Sequence, residues 1–183
     1  MKKILICILP LIMSLSLYGC YQGESVNLLH FTDNLNRIRD TEEQIELSDY
    51  IIHKGSYKLI FNGEVPLLLT LEGDKNSKIK KVRLTVGKTD ETGSTVPISD
   101  SSAAAFNKTA CEVLEAFTFM SKEECKEIVS SLIPSDGANF SKTGEITTDK
   151  SYFHFVCYSN KLCLQFFAVN TFLEETEITS KPE

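Results

Sequence analysis

A strict alternation of apolar and polar residues at 81–86 is the feature of this chain that most limits its fold. Val82, Leu84 and Val86 are apolar, and the residues before and between them are polar. Successive side chains of a strand point to opposite faces of a sheet. The period therefore predicts a strand at 79–86 with one buried and one solvated face, as in an antiparallel sheet.

Further strands are predicted in two blocks. In the first block, 57–61 and 65–71 flank Asn62-Gly63, a dipeptide that accepts the positive φ angles of a tight type I′ turn. Pro66 has no N–H to donate, so it should lie at a strand start or at a sheet edge. The second block lies near the end of the chain and contains three predicted strands: 143–148, 152–158 and 162–169.

Two helices are predicted between these blocks. Asp100 or Ser101 caps the first helix, and the second begins with a capping box that pairs Ser121 with Glu124. Pro134 cannot continue a helix, so the second helix should end before it. The first helix carries an apolar stripe on one face: Phe106, Ala110, Val113, Leu114 and Phe117.

This order of elements predicts an α+β fold with a single domain at 28–173. We expect an antiparallel sheet of about six strands in two three-stranded meanders, with the central two-helix hairpin packed on one face. A short helix is predicted at 28–38, and 44–52 is predicted as either a strand or a helical turn. Residues 20–27 are expected to form a tether, and the charged tail at 174–183 is expected to be flexible.

The first nineteen residues have the layout of an export signal. Lys2 and Lys3 precede a fourteen-residue stretch, 4–17, that contains no charged side chain. A helix that spans a bilayer needs about 20 apolar residues, so this stretch is too short to be a permanent anchor. Its length and its flanking residues are typical of the apolar region of a secretory signal peptide.

The end of this stretch, residues 17–20 with the sequence Leu-Tyr-Gly-Cys, resembles the lipobox of bacterial lipoproteins. The resemblance covers the leader alone. It implies that residues 1–19 are removed and that a diacylglyceryl group is attached to the sulfur of Cys20. Tyr18 departs from the pattern, in which this position usually holds a small or aliphatic residue. If the host is Gram-negative, Tyr21 directly after the lipidated cysteine implies that the protein is located at the outer membrane and faces the periplasm.

The charge of the chain limits its partners. The net charge is −6, and loss of the two leader lysines leaves the mature part at −8. An acidic protein has no general attraction for phosphate backbones or anionic headgroups, which argues against nucleic acid as a partner. A cationic protein partner is compatible with this charge, and the lipid on Cys20 supplies the expected contact with the membrane.

Four cysteines of the mature part are candidates for disulfide bonds. An even number in an exported chain suggests disulfides, with three possible pairings. The predicted pattern joins Cys111 to Cys125 across the turn between the helices, and Cys157 to Cys163 across a turn centred on Asn160. No C-x-x-C is present, and the three histidines lack metal-site spacing relative to the cysteines, so no metal site is predicted.

The chain lacks the sequence motifs of common catalytic and nucleotide-binding sites, so we predict no cofactor and no catalytic residue. His154 is the only histidine within a predicted core strand, where it should face Phe166. A general base needs an orienting carboxylate, which the sequence does not reveal. A histidine packed in a half-exposed sheet face is the more ordinary interpretation.

Two charged clusters have both a structural and a functional interpretation. The acidic cluster lacks the alternating ligands of a calcium loop and is predicted to be a solvated face. Its members are Asp40, Glu42, Glu43 and Glu46. The basic strip either protects a sheet edge or forms a docking patch. Its members are Lys78, Lys80, Lys81, Arg83 and Lys88.

Aromatic residues of the last two predicted strands populate both faces of the sheet. The helices cover one face, so the other face either packs on the amino-terminal segment or is left for a partner. We therefore expect a membrane-anchored envelope lipoprotein that acts as a non-catalytic protein-binding or accessory module. Two alternatives stay open: an envelope enzyme that uses His154, and a structural lipoprotein that bridges the membrane and the cell wall.

Overall fold

The computed structural model describes eight stretches of the chain: 25–39, 44–63, 66–73, 77–87, 100–133, 144–150, 152–159 and 163–173. The predicted leader, the lipid attachment site Cys20, the start of the tether and the tail lie outside the described residues, as does most of the acidic cluster. Among the described residues, no helix is long and apolar enough to cross a membrane.

Three α-helices and seven strands make up the described fold. The helices are α1 (Leu28–Ile38), α2 (Asp100–Thr118) and α3 (Lys122–Leu132), and a 3₁₀ turn lies at Leu47–Asp49. The strands of the first block are β1 (Ile51–His53), β2 (Ser56–Phe61), β3 (Leu67–Gly73) and β4 (Ile79–Gly87). The strands of the second block are β5 (Gly144–Lys150), β6 (Phe153–Ser159) and β7 (Cys163–Asn170).

The strands form one seven-stranded sheet in the order β1-β2-β3-β4-β7-β6-β5. Every neighbouring pair is antiparallel, so the two meanders meet where β4 pairs with β7. The predicted α+β class and the antiparallel sheet are confirmed. The strand count differs, because the ambiguous region 44–52 contributes both a 3₁₀ turn and the start of the short extra strand β1.

The tight hairpin turn lies at a different place from the one that the sequence suggested. Phe61 pairs with Leu67, so five residues connect β2 to β3, and Asn62-Gly63 is not a two-residue turn. The two-residue turn is Lys54-Gly55 between β1 and β2, with φ angles of 46° and 78°. Positive φ at both central positions is what a type I′ turn requires.

The helices pack on one face of the sheet. The apolar stripe predicted for α2 is buried along its whole length. The predicted capping box is present, since the Ser121 hydroxyl accepts from the backbone N–H of Glu124 and the Glu124 carboxylate accepts from the backbone N–H of Ser121. One buried row crosses the sheet under the helices: Leu59, Leu69, Leu84, Phe166 and Cys157.

The start of the folded domain is attached to the first residues of β4. Val26 is buried, and its carbonyl accepts a 2.7 Å hydrogen bond from the backbone N–H of Ile79. Asn27 forms a bridge with Lys78 and caps α1 by accepting from the backbone N–H of His30. The folded domain therefore begins before residue 28, and the last residues assigned to the tether belong to it.

Candidate functional site on the helix-free face of the sheet

Alternate residues of the strands point away from the helices and form the helix-free face. The strand registers arrange most of them in three rows that run across the sheet. The first row is Ser56, Glu72, Lys81, Val169, His154 and Asp149. The second row is Lys58, Thr70, Arg83, Phe167, Val156 and Thr147. The third row is Ile60, Leu68, Thr85, Gln165 and Tyr158.

The first row lies at the end of the sheet where the chain enters the fold, which we call the tether end. Lys81 of this row is two residues after Ile79, the residue to which Val26 is bonded. The Lys54-Gly55 turn lies at the same end, since it joins the ends of β1 and β2 beyond the paired His53 and Ser56. Charged side chains therefore gather at the tether end, and the third row lies farthest from it.

A basic cavity of about 420 Å³ opens on the helix-free face at the tether end. The residues that line it include His53, the turn Lys54-Gly55, Lys58, Thr70, Glu72, Lys80 and Arg83. Among the described residues that line the cavity, four are lysine or arginine and one, Glu72, carries a carboxylate. The Glu72 carboxylate lies 3.8 Å from the Lys81 ammonium, and that ammonium lies 5.5 Å from the ring centroid of Phe167.

The basic strip does not protect a sheet edge. β4 is a central strand that pairs with β3 on one side and β7 on the other, so the edge explanation is wrong. Lys81 and Arg83 instead project onto the helix-free face from the middle of the sheet, and Lys78 bridges to Asn27 just before β4. Lys88 lies outside the described residues. We call the cationic residues at this end the basic patch: Lys54, Lys58, Lys78, Lys80, Lys81 and Arg83.

Thr70 occupies an unusual position in the basic cavity. In the strand register it lies between Lys58 on β2 and Arg83 on β4. Its side chain is 3% exposed, and its hydroxyl is buried without a hydrogen-bond partner. A buried hydroxyl that makes no hydrogen bond lowers stability, so such a group in a cavity indicates a place where a ligand oxygen fits.

The far half of the helix-free face carries exposed apolar side chains. Ile60 is 47% exposed and Tyr158 is 37% exposed, although both lie within strands. Phe167 and Val156 are half-buried in the neighbouring row. Helix α1 does not cover this face, because it packs against α2, with Phe31 and Leu35 in the hydrophobic core. The far half is therefore the candidate surface for a protein partner.

His154 has the orienting carboxylate that the sequence did not reveal. Its Nδ1 lies 2.6 Å from Oδ1 of Asp149, which is its partner across the β5–β6 hairpin. It faces Val169 on β7, so the predicted contact with Phe166 is wrong, and Phe166 lies on the helix side. The pair resembles the base of a catalytic dyad in geometry. However, the Asp149 side chain is 77% exposed, and His154 does not line the basic cavity.

A second polar cluster lies on the helix side, near the end of α1. The Arg39 guanidinium stacks 4.5 Å from the ring centroid of Phe61, and its Nε lies 3.8 Å from a carboxylate oxygen of Glu112. Lys108 also lies 3.8 Å from Glu112. Burial raises the pKa of Glu112, although both cations oppose that shift. This cluster borders a smaller cavity of about 250 Å³.

The four candidate disulfide cysteines are free thiols in this structure. The predicted Cys157–Cys163 pairing is wrong, because Ser159 pairs with Leu164 and the two cysteines consequently lie on opposite faces of the sheet. Burial raises the pKa of Cys125 and of Cys157 to about 12. Burial also raises the pKa of Cys111 and of Cys163.

A raised pKa keeps a thiol protonated, so these four cysteines are poor nucleophiles. Within the described stretches, His, Cys, Asp and Glu side chains form no group of three that could hold a metal ion. Of the predicted acidic cluster, only Glu46 is described, and its carboxylate accepts from the Ser48 hydroxyl.

Comparison with known proteins gives no relative for this chain: no protein-family model, curated protein or solved structure matches it.

Proposed function

We propose that this chain is an exported bacterial lipoprotein whose α+β domain is a non-catalytic binding module. The lipid on Cys20 would hold it at the cell envelope, at the outer membrane facing the periplasm in a Gram-negative host. The lipobox-like sequence before Cys20 supports the anchor. The observation that best supports a binding function is the helix-free face, where Ile60 and Tyr158 are exposed within a continuous sheet.

The far half of this face is the proposed contact surface for a protein partner. Aromatic and apolar side chains are typical of the central part of protein interfaces. Phe167 and Tyr158 supply the aromatic anchors, and Leu68 and Thr85, which lie between Ile60 and Tyr158 in the third row, are already buried. A cationic partner stays part of the proposal because the mature part carries a net charge of −8. Such a partner would dock away from the basic patch.

Site-specific photo-crosslinking in the native envelope tests this surface. A photoreactive phenylalanine analogue replaces Tyr158 in the full chain, and a matched variant carries it at Ser130, an exposed position on α3. We expect a discrete crosslinked partner from position 158 and none from position 130. Identical products from both positions, or none from position 158, would refute the assignment of the contact surface.

A second candidate function is an envelope hydrolase that uses the His154–Asp149 pair. The 2.6 Å contact between the imidazole and the carboxylate is the observation that favours it. The His154→Ala and Asp149→Asn variants should then both lose the ability to restore the phenotype of a strain that lacks the protein. Full restoration by both variants, at wild-type abundance, would exclude this candidate.

A further inference from the structure

We infer that the tether end of the helix-free face binds the anionic phosphate headgroups of the bilayer in which Cys20 is anchored. The basic patch would contact the headgroups, and the far half of the face would stay available to a protein partner. This inference rests on the proposed function, because the lipid on Cys20 is what brings this end of the domain to the membrane.

The covalent connection limits how far the tether end can move from the membrane. Cys20 is five residues before Ser25, the first described residue. A fully extended chain of that length spans at most about 18 Å. The next residue, Val26, is fixed to Ile79 at the start of β4. The opposite end of the nine-residue β4 lies about 30 Å farther along the sheet.

The charges at the tether end, and not the net charge of the chain, determine how this end interacts with the bilayer. Electrostatic interactions between exposed charges are screened beyond about 8 Å at physiological salt. The net charge of −6 counts the whole chain, whereas the basic patch consists of described cations at one end of the sheet. Among the described residues, four lysine or arginine side chains and one carboxylate line the basic cavity, and exposed Lys78 lies beside Asn27. Lysine and arginine clusters beside a membrane anchor attract anionic lipid.

The cavity also has a feature that suits a phosphate group specifically. Thr70, whose buried hydroxyl has no partner, is one of the residues that line the cavity, between Lys58 and Arg83. A phosphate oxygen would accept a hydrogen bond from this hydroxyl while the cations balance the charge of the phosphate. A cavity of about 420 Å³ is large enough for the phosphate and the first carbons of a headgroup.

An exposed aromatic pair lies at the same end of the molecule. Tyr152 and Phe172 pack edge to face with ring centroids 5.9 Å apart, and they are 39% and 44% exposed. Tyr152 precedes β6 and Phe172 follows β7, where Phe153 pairs with Asn170 at the tether end. Aromatic side chains of this kind are enriched at the boundary between headgroups and acyl chains. Cations and aromatics thus both gather where the chain would approach the bilayer.

Vesicle binding by the chain without its lipid tests the inference. Every described core residue lies between Val26 and Leu173, so the chain from residue 20 onward with Cys20→Ser retains the described core. We expect it to cosediment with phosphatidylcholine vesicles that contain phosphatidylglycerol, but not with phosphatidylcholine alone. Raising the salt concentration should abolish the binding. Equal binding to both vesicles, or binding to neither, would overturn the inference.

Two double variants separate the basic patch from total charge. Lys54→Gln with Lys58→Gln should lower the fraction bound to anionic vesicles about tenfold. Lys122→Gln with Lys126→Gln makes the same change in net charge on α3 and should leave binding unchanged. Equal losses in both double variants, each with an unchanged thermal unfolding midpoint, would contradict the assignment. So would tight binding of inorganic phosphate without vesicles, which would assign the cavity to a soluble anion.

The two proposals can fail separately. Release of the Cys20→Ser protein from the envelope, with loss of palmitate labelling, tests the lipid anchor and does not depend on the basic patch. Vesicle binding by the unlipidated protein tests the basic patch and does not depend on whether Cys20 carries lipid in the cell.

Discussion

The backbone carbonyl of Val26 accepts a hydrogen bond from the backbone N–H of Ile79, which fixes the entry of the chain to the start of a central strand. The Val26 side chain is 2% exposed and belongs to the core, whereas Leu29, three residues later, is 50% exposed. Val26 is therefore part of the folded structure and lies at the same end of the sheet as the first residues of β4.

Val26→Asp should lower the free energy of unfolding by about 3 kcal/mol, because it places a carboxylate in the apolar core. Leu29→Asp is the matched control and should change the free energy by less than about 0.5 kcal/mol, since its side chain is largely in water. Urea unfolding followed by circular dichroism measures both. Similar stabilities for the two variants would mean that the entry segment is not packed as described.

Thr70→Val should raise the free energy of unfolding by about 1 kcal/mol, because it replaces a buried hydroxyl that has no partner with a methyl group of similar size. The same variant should weaken binding to anionic vesicles if the hydroxyl donates to a phosphate. The gain in stability together with the loss of binding would identify Thr70 as a ligand-binding residue. A loss of stability would show instead that the hydroxyl is hydrogen-bonded in the native protein.

The pH dependence of stability should reveal the capping carboxylate of α3. The hydrogen bond from the Lys150 ammonium, 3.0 Å away, and the bonds from Ser121 lower the pKa of Glu124 from 4.5 to about 2. A lowered pKa in the folded state gives stability that is complete above pH 4.5 and is lost as the pH falls towards 2.

Glu124→Gln should therefore show a shallower decrease in stability over this acid range than the wild type. Glu123→Gln, at an exposed neighbouring position on the same helix, is the control and should follow the wild-type profile. Parallel profiles for the wild type and Glu124→Gln would contradict the lowered pKa.

Cysteine mapping tests the strand register. The native protein should contain no disulfide between Cys157 and Cys163, because their side chains point to opposite faces of the sheet. Cys111 and Cys125 lie on consecutive helices, and Cys111 lies near enough to raise the pKa of Cys125. The Cys111–Cys125 disulfide stays a prediction, since both are free thiols in this structure. Peptide mass mapping without reduction distinguishes the cases, and a peptide that joins 157 to 163 would refute the register of β6 and β7.

The sequence was informative wherever the signal is local. The α2 stripe and the Ser121 capping box depend on residues within a few positions of one another, and both were predicted correctly. The position of β4 was also predictable, because its alternation of apolar and polar residues indicates a strand with one buried face. Such patterns do not depend on which distant strand becomes a neighbour.

Strand pairing was less predictable, because register depends on turn length. The prediction centred the last turn on Asn160, whereas the structure pairs Ser159 with Leu164. The observed pairing is displaced by three residues from that prediction, and a shift by an odd number of residues moves side chains to the other face. That single shift accounts for the incorrect disulfide and for the incorrect partner of His154. For the same reason, the sequence did not reveal the Asp149 carboxylate, because only the register of β5 and β6 places it beside His154.

The distribution of charge could not be read from composition. A net charge of −6 argued against anionic surfaces, but folding gathers the cations of β2, β4 and the Lys54-Gly55 turn at one end of the sheet. Likewise, the edge explanation for the basic strip could be rejected only once β4 was known to be a central strand. That position follows from its pairing with β7, a strand about eighty residues away.

Intact-mass analysis of the protein extracted from its native envelope is the most direct test of the lipid anchor on which both proposals rest. We expect a chain that begins at Cys20 and is heavier than its sequence by a diacylglyceryl group, and we expect Cys20→Ser to abolish that addition. A protein of unmodified mass that still begins at Met1, or one whose first residue lies after Cys20, would contradict the account.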